Sequence, residues 1–315
     1  MFEGEVEITQ TDNETNVELE NAQVNLLLHD NVTLAAGKFY SPVGQFQERL
    51  HPAWINRLPD APAGFGHGGI QPLSEVGVMA RGGARVGNDM RVNYSVAVGN
   101  GPRLGHGGVE LEGFASDDNS NKSVAGRLGF FPIPELEVGG SFMTAELIGP
   151  EDHETETLTD IDFDLWGADF AYVRGPWRFR GEYLNAEATG FPAEEDHEEA
   201  IIFAAAEDEG DGHGEEASLA ENTEWQAWYV ELAYRMSGLT DHPIGQNFEP
   251  VVRYGEYEVT GDHEAEEQSE DRFNVGLNYW FAPSIVLKAT VEWRDFVSDE
   301  IEDETRILFQ LAYGF

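Results

Sequence analysis

The chain contains no cysteine. That excludes a disulfide framework, a thiolate metal site, a cysteine nucleophile and covalent haem attachment within it. Basic residues are scarce: 18 Lys and Arg stand against 60 Asp and Glu, a formal charge of −42. With no excess of cations to neutralise phosphates, nucleic acid is excluded as a partner. No uninterrupted apolar stretch is long enough for a transmembrane helix. A membrane barrel is untouched by that criterion, because its strands alternate and its mean hydropathy can be hydrophilic. The opening MFEGEVEIT has neither a basic n-region nor an apolar h-region. The expectation is that a signal peptide has been removed or lost and that Met1 is not the native beginning.

What is present is a period of two. In SIVLKATVEWRDF, Ile285, Leu287, Ala289, Val291 and Trp293 alternate with Val286, Lys288, Thr290, Glu292 and Arg294. In DRFNVGLNYWF, Phe273, Val275, Leu277, Tyr279 and Phe281 alternate with Arg272, Asn274, Gly276, Asn278 and Trp280. These two segments are expected to form a hairpin around Ala282-Pro283. The chain ends on ETRILFQLAYGF, with Ile307, Phe309, Leu311, Tyr313 and Phe315 on one phase. A helix would scatter each of these faces.

Fourteen such segments occur, near 2–9, 17–28, 31–39, 76–86, 91–99, 122–131, 135–146, 161–174, 177–187, 223–236, 247–260, 270–282, 284–297 and 304–315. Their connections alternate long and short, so every long connection falls on one side of the sheet. An outer-membrane barrel has this pattern of short periplasmic turns and long external loops, whereas a soluble sandwich has no reason to sort its loops. The expected fold is all-β. Residues 1–315 form a single transmembrane antiparallel β-barrel of 14 strands, or 16 if two precede Met1, with long acidic external loops.

If the apolar phases face lipid, the opposite phases line the lumen. Arg81, Arg85, Arg91, Arg127, Arg178, Arg180, Arg253, Arg272, Lys288, Arg294 and Arg306 then become candidate pore-lining residues, together with Arg235. Guanidinium groups in a lumen lower the barrier for anions and can hold oxyanions through a planar fork of donors. The alternative is that they pair with the inward Glu137, Asp169, Glu182, Glu231 and Glu292 and brace the wall. The longest loop, 188–222, holds twelve acidic residues and no Lys or Arg. It concentrates cations and repels anions over about one Debye length, roughly 8 Å at physiological salt. Net charge therefore does not sign the selectivity. His153, His197, His213 and His263 lie within acidic loop sequences, a chemistry that suits Zn²⁺ or, through the carboxylates alone, Ca²⁺. The alternative is solvated loops that condense cations loosely or bridge lipopolysaccharide.

The stretch VTLAAGKFYSPVGQFQERLHPAWINRLPDAP, with Gly37, Lys38, Phe39, Pro42, Val43 and Gly44, resembles the strand entering the third loop of phosphate-selective porin O/P-like outer-membrane proteins. NGPRLGHGG followed by DDNSNKSVAGRLGFFP, with Arg127 and Pro132, is similar to a second region of that family. The resemblance implies a sixteen-stranded trimeric porin whose third loop folds into the pore. It carries a constriction role onto Arg49, His51 and Arg57 in the loop 40–75, with Arg81 and Arg85 on the strand that follows. Two departures accompany it: fourteen segments, and only Lys38, Lys122 and Lys288 where a lysine ladder is implied.

The expected function is an outer-membrane porin for passive diffusion of small hydrophilic solutes or ions. Its surroundings are outer-membrane lipid and lipopolysaccharide, a homotrimer is implied, and no catalysis or cofactor is expected. No nucleophile elbow supports an enzyme. The alternative is a non-conducting surface barrel whose histidine-containing acidic loops bind divalent metal or a partner protein. A third reading is a sheath around an electron-transfer partner.

Overall fold

In the computed structural model, the described residues are 1–10, 15–66, 69–70, 73–87, 89–105, 108–110, 121–152, 157–191, 222–261, 267–298 and 301–314. The strands are β1 (Phe2–Gln10), β2 (Thr15–His29), β3 (Val32–Tyr40), β4 (Ser74–Val86), β5 (Met90–Gly99), β6 (Arg103–Gly105), β7 (Gly108–Glu110) and β8 (Ser123–Ile133). They continue as β9 (Leu136–Asp152), β10 (Thr157–Arg174), β11 (Trp177–Thr189), β12 (Thr223–Tyr234), β13 (Phe248–Thr260), β14 (Glu270–Ala282), β15 (Ile285–Phe296) and β16 (Glu304–Tyr313). Fourteen of them form one sheet in chain order, β1 to β5 and then β8 to β16. β6 and β7 make a separate small hairpin within the 100–121 connection. Every pairing in the large sheet is antiparallel.

The alternation read from the sequence becomes two opposite surfaces. Leu232, Val252, Val275, Val291 and Ile307 are partners across successive strands and form one apolar row on the outside. Aromatic residues bound this band on both sides. At one edge Trp166 and Tyr183, Trp228 and Tyr254, and Phe273 and Trp293 meet with ring centroids 5.2, 5.5 and 5.6 Å apart. At the other, Trp177 and Tyr234, and Phe248 and Tyr279, meet at 4.5 and 4.9 Å. Two aromatic girdles around an apolar band mark the membrane interfaces of an outer-membrane barrel. Opposite that band the inside carries buried charged and polar residues, Arg127, Asp169, Glu231, Arg253, Asn274 and Glu292 among them.

β1 and β16 are the ends of the strand order, each paired with one neighbour among the described residues. Phe309 on β16 is 74 % exposed, against 41 % for Val275 in the sheet interior, because no strand flanks it on its second side. The sheet nevertheless curls until its ends border the same space. Glu5 and Glu20 from β1 and β2 line one cavity with Arg306 and Gln310 from β16.

The strand expectations hold to within a few residues, with one difference of substance. The connection expected at 147–160 is largely strand, since β9 runs to Asp152 and β10 starts at Thr157. Here the polarity of the alternation inverts. Leu147, Ile161, Phe163 and Leu165 are buried on the inside, while Asp162 and Asp164 are exposed outside. The wall has passed the upper girdle, so its outer face meets water and its inner face packs on an apolar loop. Phe315 lies outside the described residues.

Replacing Val275 with Arg puts a guanidinium in the middle of the apolar band. Unfolding from liposomes in urea should show a loss of roughly 2–4 kcal/mol relative to the parent.

Candidate functional site

Residues 40–75 leave the end of β3, cross the inside of the sheet and return to β4. Two glycines permit the entry and the turn. Gly44 has φ 66°, and a Cβ there would stand 1.7 Å from Glu182 Oε1; Gly64 has φ 71°, with Ala227 and Tyr257 carbons 2.6 Å from the same atom. Between them Phe46–Leu50 form one wide helical turn, with the His51 amide donating to Phe46 O at 2.8 Å.

The loop is fixed by two kinds of contact. Its apolar side chains Val43, Phe46, Phe65 and Ile70 pack on the inward Met143, Leu147, Phe163, Leu184 and Tyr229, with Phe65 edge-on to Tyr229 at 5.1 Å. Its backbone is held by side chains of the wall. Glu182 accepts the Gln45 and Phe46 amides at 3.1 and 3.0 Å. Arg253 donates to Asp60 O and Ala61 O at 2.8 and 3.0 Å, and Asn278 to Arg57 O at 2.8 Å. Lys288, which is 0 % exposed, donates to Ala53 O at 2.6 Å, to Leu58 O at 3.3 Å and to Gln310 Oε1 at 2.7 Å. Desolvating these groups is costly unless each finds a partner, and the loop carbonyls supply them.

The candidate constriction residues Arg49, His51 and Arg57 are all on this loop. Arg49 meets Glu137 at 2.9 Å. His51 lies beside Tyr40, ring centroids 5.8 Å apart, and borders the cavity. Arg57 pairs with Glu249 at 3.0 Å and stacks over Trp280 at 5.0 Å, with Arg235 on the same ring at 4.6 Å. Burial pulls the Arg57 guanidinium down to about 10 against the opposing charge of Glu249, so it stays protonated at neutral pH.

Of the candidate lining residues, most are engaged with carboxylates. Arg127 joins Asp169 at 2.6 Å and Glu137 at 3.0 Å; Arg180 joins Glu231 at 2.5 Å, and Arg253 lies 3.8 Å from it. Arg272 and Arg294 share Glu270, and Arg306 reaches Glu292 at 3.3 Å. Arg81 lies 3.6 Å from Glu3 and 3.7 Å from Glu48. Arg85 and Arg91 face each other across the β4–β5 ladder and are exposed, while Arg178 is half-buried. Four of the five acids read from the sequence as braces hold arginines, and Glu182 binds loop amides instead. Asp60, Glu48, Glu249 and Glu270 were not singled out by the sequence. For Glu249 and Glu270 the inward phase of their strands was the available signal. For Asp60 and Glu48 there was none. His153, His197, His213 and His263 lie outside the described residues, as does most of 188–222.

Between the loop and the β14–β16 wall remains a cavity of about 920 Å³. A wall apolar outside and charged inside, with a loop folded into it beside an open space, is porin geometry. A family model described as phosphate-selective porin O and P matches residues 145–307, just over half of the chain. The chain belongs to that family. The porin's fold is shared with a loop-deletion form of OmpT, an outer membrane protein of Vibrio cholerae, at TM-score 0.55 and 14 % identity over 99 % of this chain and 84 % of that one. A trimer form of OmpT gives 0.52 and 13 % over 99 % and 85 %. The anion-selective porin from Comamonas acidovorans gives 0.51 and 10 % over 89 % and 69 %. Comparison with curated protein sequences gives no match. The porin is thus an outer-membrane barrel of the channel-forming kind.

Two substitutions separate bracing from loop attachment. Arg127→Ala leaves Asp169 buried without its cation, while Glu137 keeps Arg49, and should cost about 3–5 kcal/mol in urea unfolding. Lys288→Met leaves the Ala53 and Leu58 carbonyls without their donor and should cost about 1–3 kcal/mol. Limited proteolysis should then cut within 46–65, which the parent protein resists.

Proposed function

We propose that this porin is a passive, non-enzymatic pore for small hydrophilic solutes or ions, and that residues 40–75 set its narrowest point. The observation that carries this reading is the cavity beside the inward-folded loop. Its mixed lining brings the charged Glu5, Glu20, Asp60, Arg272, Arg294 and Arg306 to it, and charged groups facing an open space can replace part of a solute's hydration. In this reading the arginines act chiefly by fixing wall and loop, because most are held between carboxylates. The acidic connection 188–222 joins the ends of β11 and β12 on the side of the long connections, the side that faces lipopolysaccharide in this reading. The protein assembles as a homotrimer, as the trimer form of the V. cholerae relative suggests.

Planar-bilayer recordings of the purified protein test the proposal. Discrete channels are expected, and replacing 46–65 by a short Gly-Ser linker should raise the single-channel conductance because the obstruction is gone. A protein that inserts yet shows no steps above background in any salt is not a pore. A linker variant whose conductance is unchanged removes the loop from the constriction.

A further inference from the structure

Three guanidinium groups, from Arg272, Arg294 and Arg306, border the cavity, and each is shared between two carboxylates. Arg272 is bound to Glu270 and lies 3.8 Å from Asp60 Oδ2. Arg294 donates its Nε to Glu270 at 2.6 Å and lies 3.4 Å from Glu304. Arg306 reaches Asp60 at 3.4 Å and Glu292 at 3.3 Å. Three cations therefore sit among four anions on this side. The opposite wall adds Glu5 and Glu20, and Glu5 accepts a hydrogen bond from the neutral Tyr40 hydroxyl at 2.9 Å. Arg81 lies between Glu3 and Glu48, and Lys288 is turned into the loop carbonyls.

A guanidinium held between two carboxylates presents no net positive charge to an incoming anion. Carboxylates in excess over cations, confined by low-dielectric walls, raise the local concentration of counter-ions of the opposite sign. We infer that the passage prefers small cations over anions and that Asp60, which caps both Arg272 and Arg306 from the tip of the loop, determines that preference. This rests on the pore reading above and adds to it the charge class of the solute.

Reversal potentials in a KCl gradient across planar bilayers decide it. The parent channel should pass potassium over chloride by at least about twofold. Asp60→Asn uncovers two guanidinium groups and should bring the ratio to unity or below, while Asp60→Glu restores it. If Asp60→Asn does not fold, Glu5→Gln on the opposite wall should lower the ratio in the same direction. A chloride-preferring parent channel overturns the inference while leaving the pore intact. So does a preference that survives these substitutions but disappears when 192–221 are deleted, because the outer loop would then set it. Absence of any channel counts against the pore reading instead.

Discussion

Hydrocarbon offers no hydrogen bonds, and the rest of the structure follows from that. Every strand crossing the apolar band must have its backbone paired to a neighbour, and every charged side chain must turn away from lipid. The fourteen-stranded order meets the first requirement along its length. The row Leu232, Val252, Val275, Val291 and Ile307 outside, with Arg253, Asn274 and Glu292 inside, meets the second. Level with the apolar band the protein is therefore inside-out compared with a soluble sheet, with charged residues packed inside and apolar ones facing out, while the inward loop adds an apolar cluster of its own.

That inversion explains the ion-pair density. Arginines forced inward by the lipid are partly desolvated by one another and by the loop, and a buried charge is tolerable only when paired. Most of the inward arginines are accordingly held by one or two carboxylates apiece, as at Arg127, Arg272 and Arg306. The large acidic excess of the sequence is thus present within the wall as well as in the loops.

Much of this was legible in the sequence, and unevenly so. Strand positions and facing followed from the period of two, because each strand's phase is local information. The extension of β9 and β10 was missed because Ile161, Phe163 and Leu165 are apolar on the inward phase. Asp162 and Asp164 on the other phase were the available sign that the wall had left the membrane. The inward phase of Lys288 is legible in its strand, but its contact with the loop carbonyls is not. A backbone carbonyl has no residue signature, so nothing in the sequence around Ala53 or Leu58 advertises a lysine partner. The pairing of Asp60 with β14 and β16 was equally hidden, since it depends on where a loop tip lands after crossing the lumen.

The attachment of the loop has an evolutionary corollary. Arg253, Asn278 and Lys288 grip peptide carbonyls from Ala53 to Ala61, and a carbonyl is the same whichever side chain it carries. Residues at the loop tip can drift in identity without loosening their anchorage. Lineages sharing this scaffold can therefore change what they admit while keeping the same barrel.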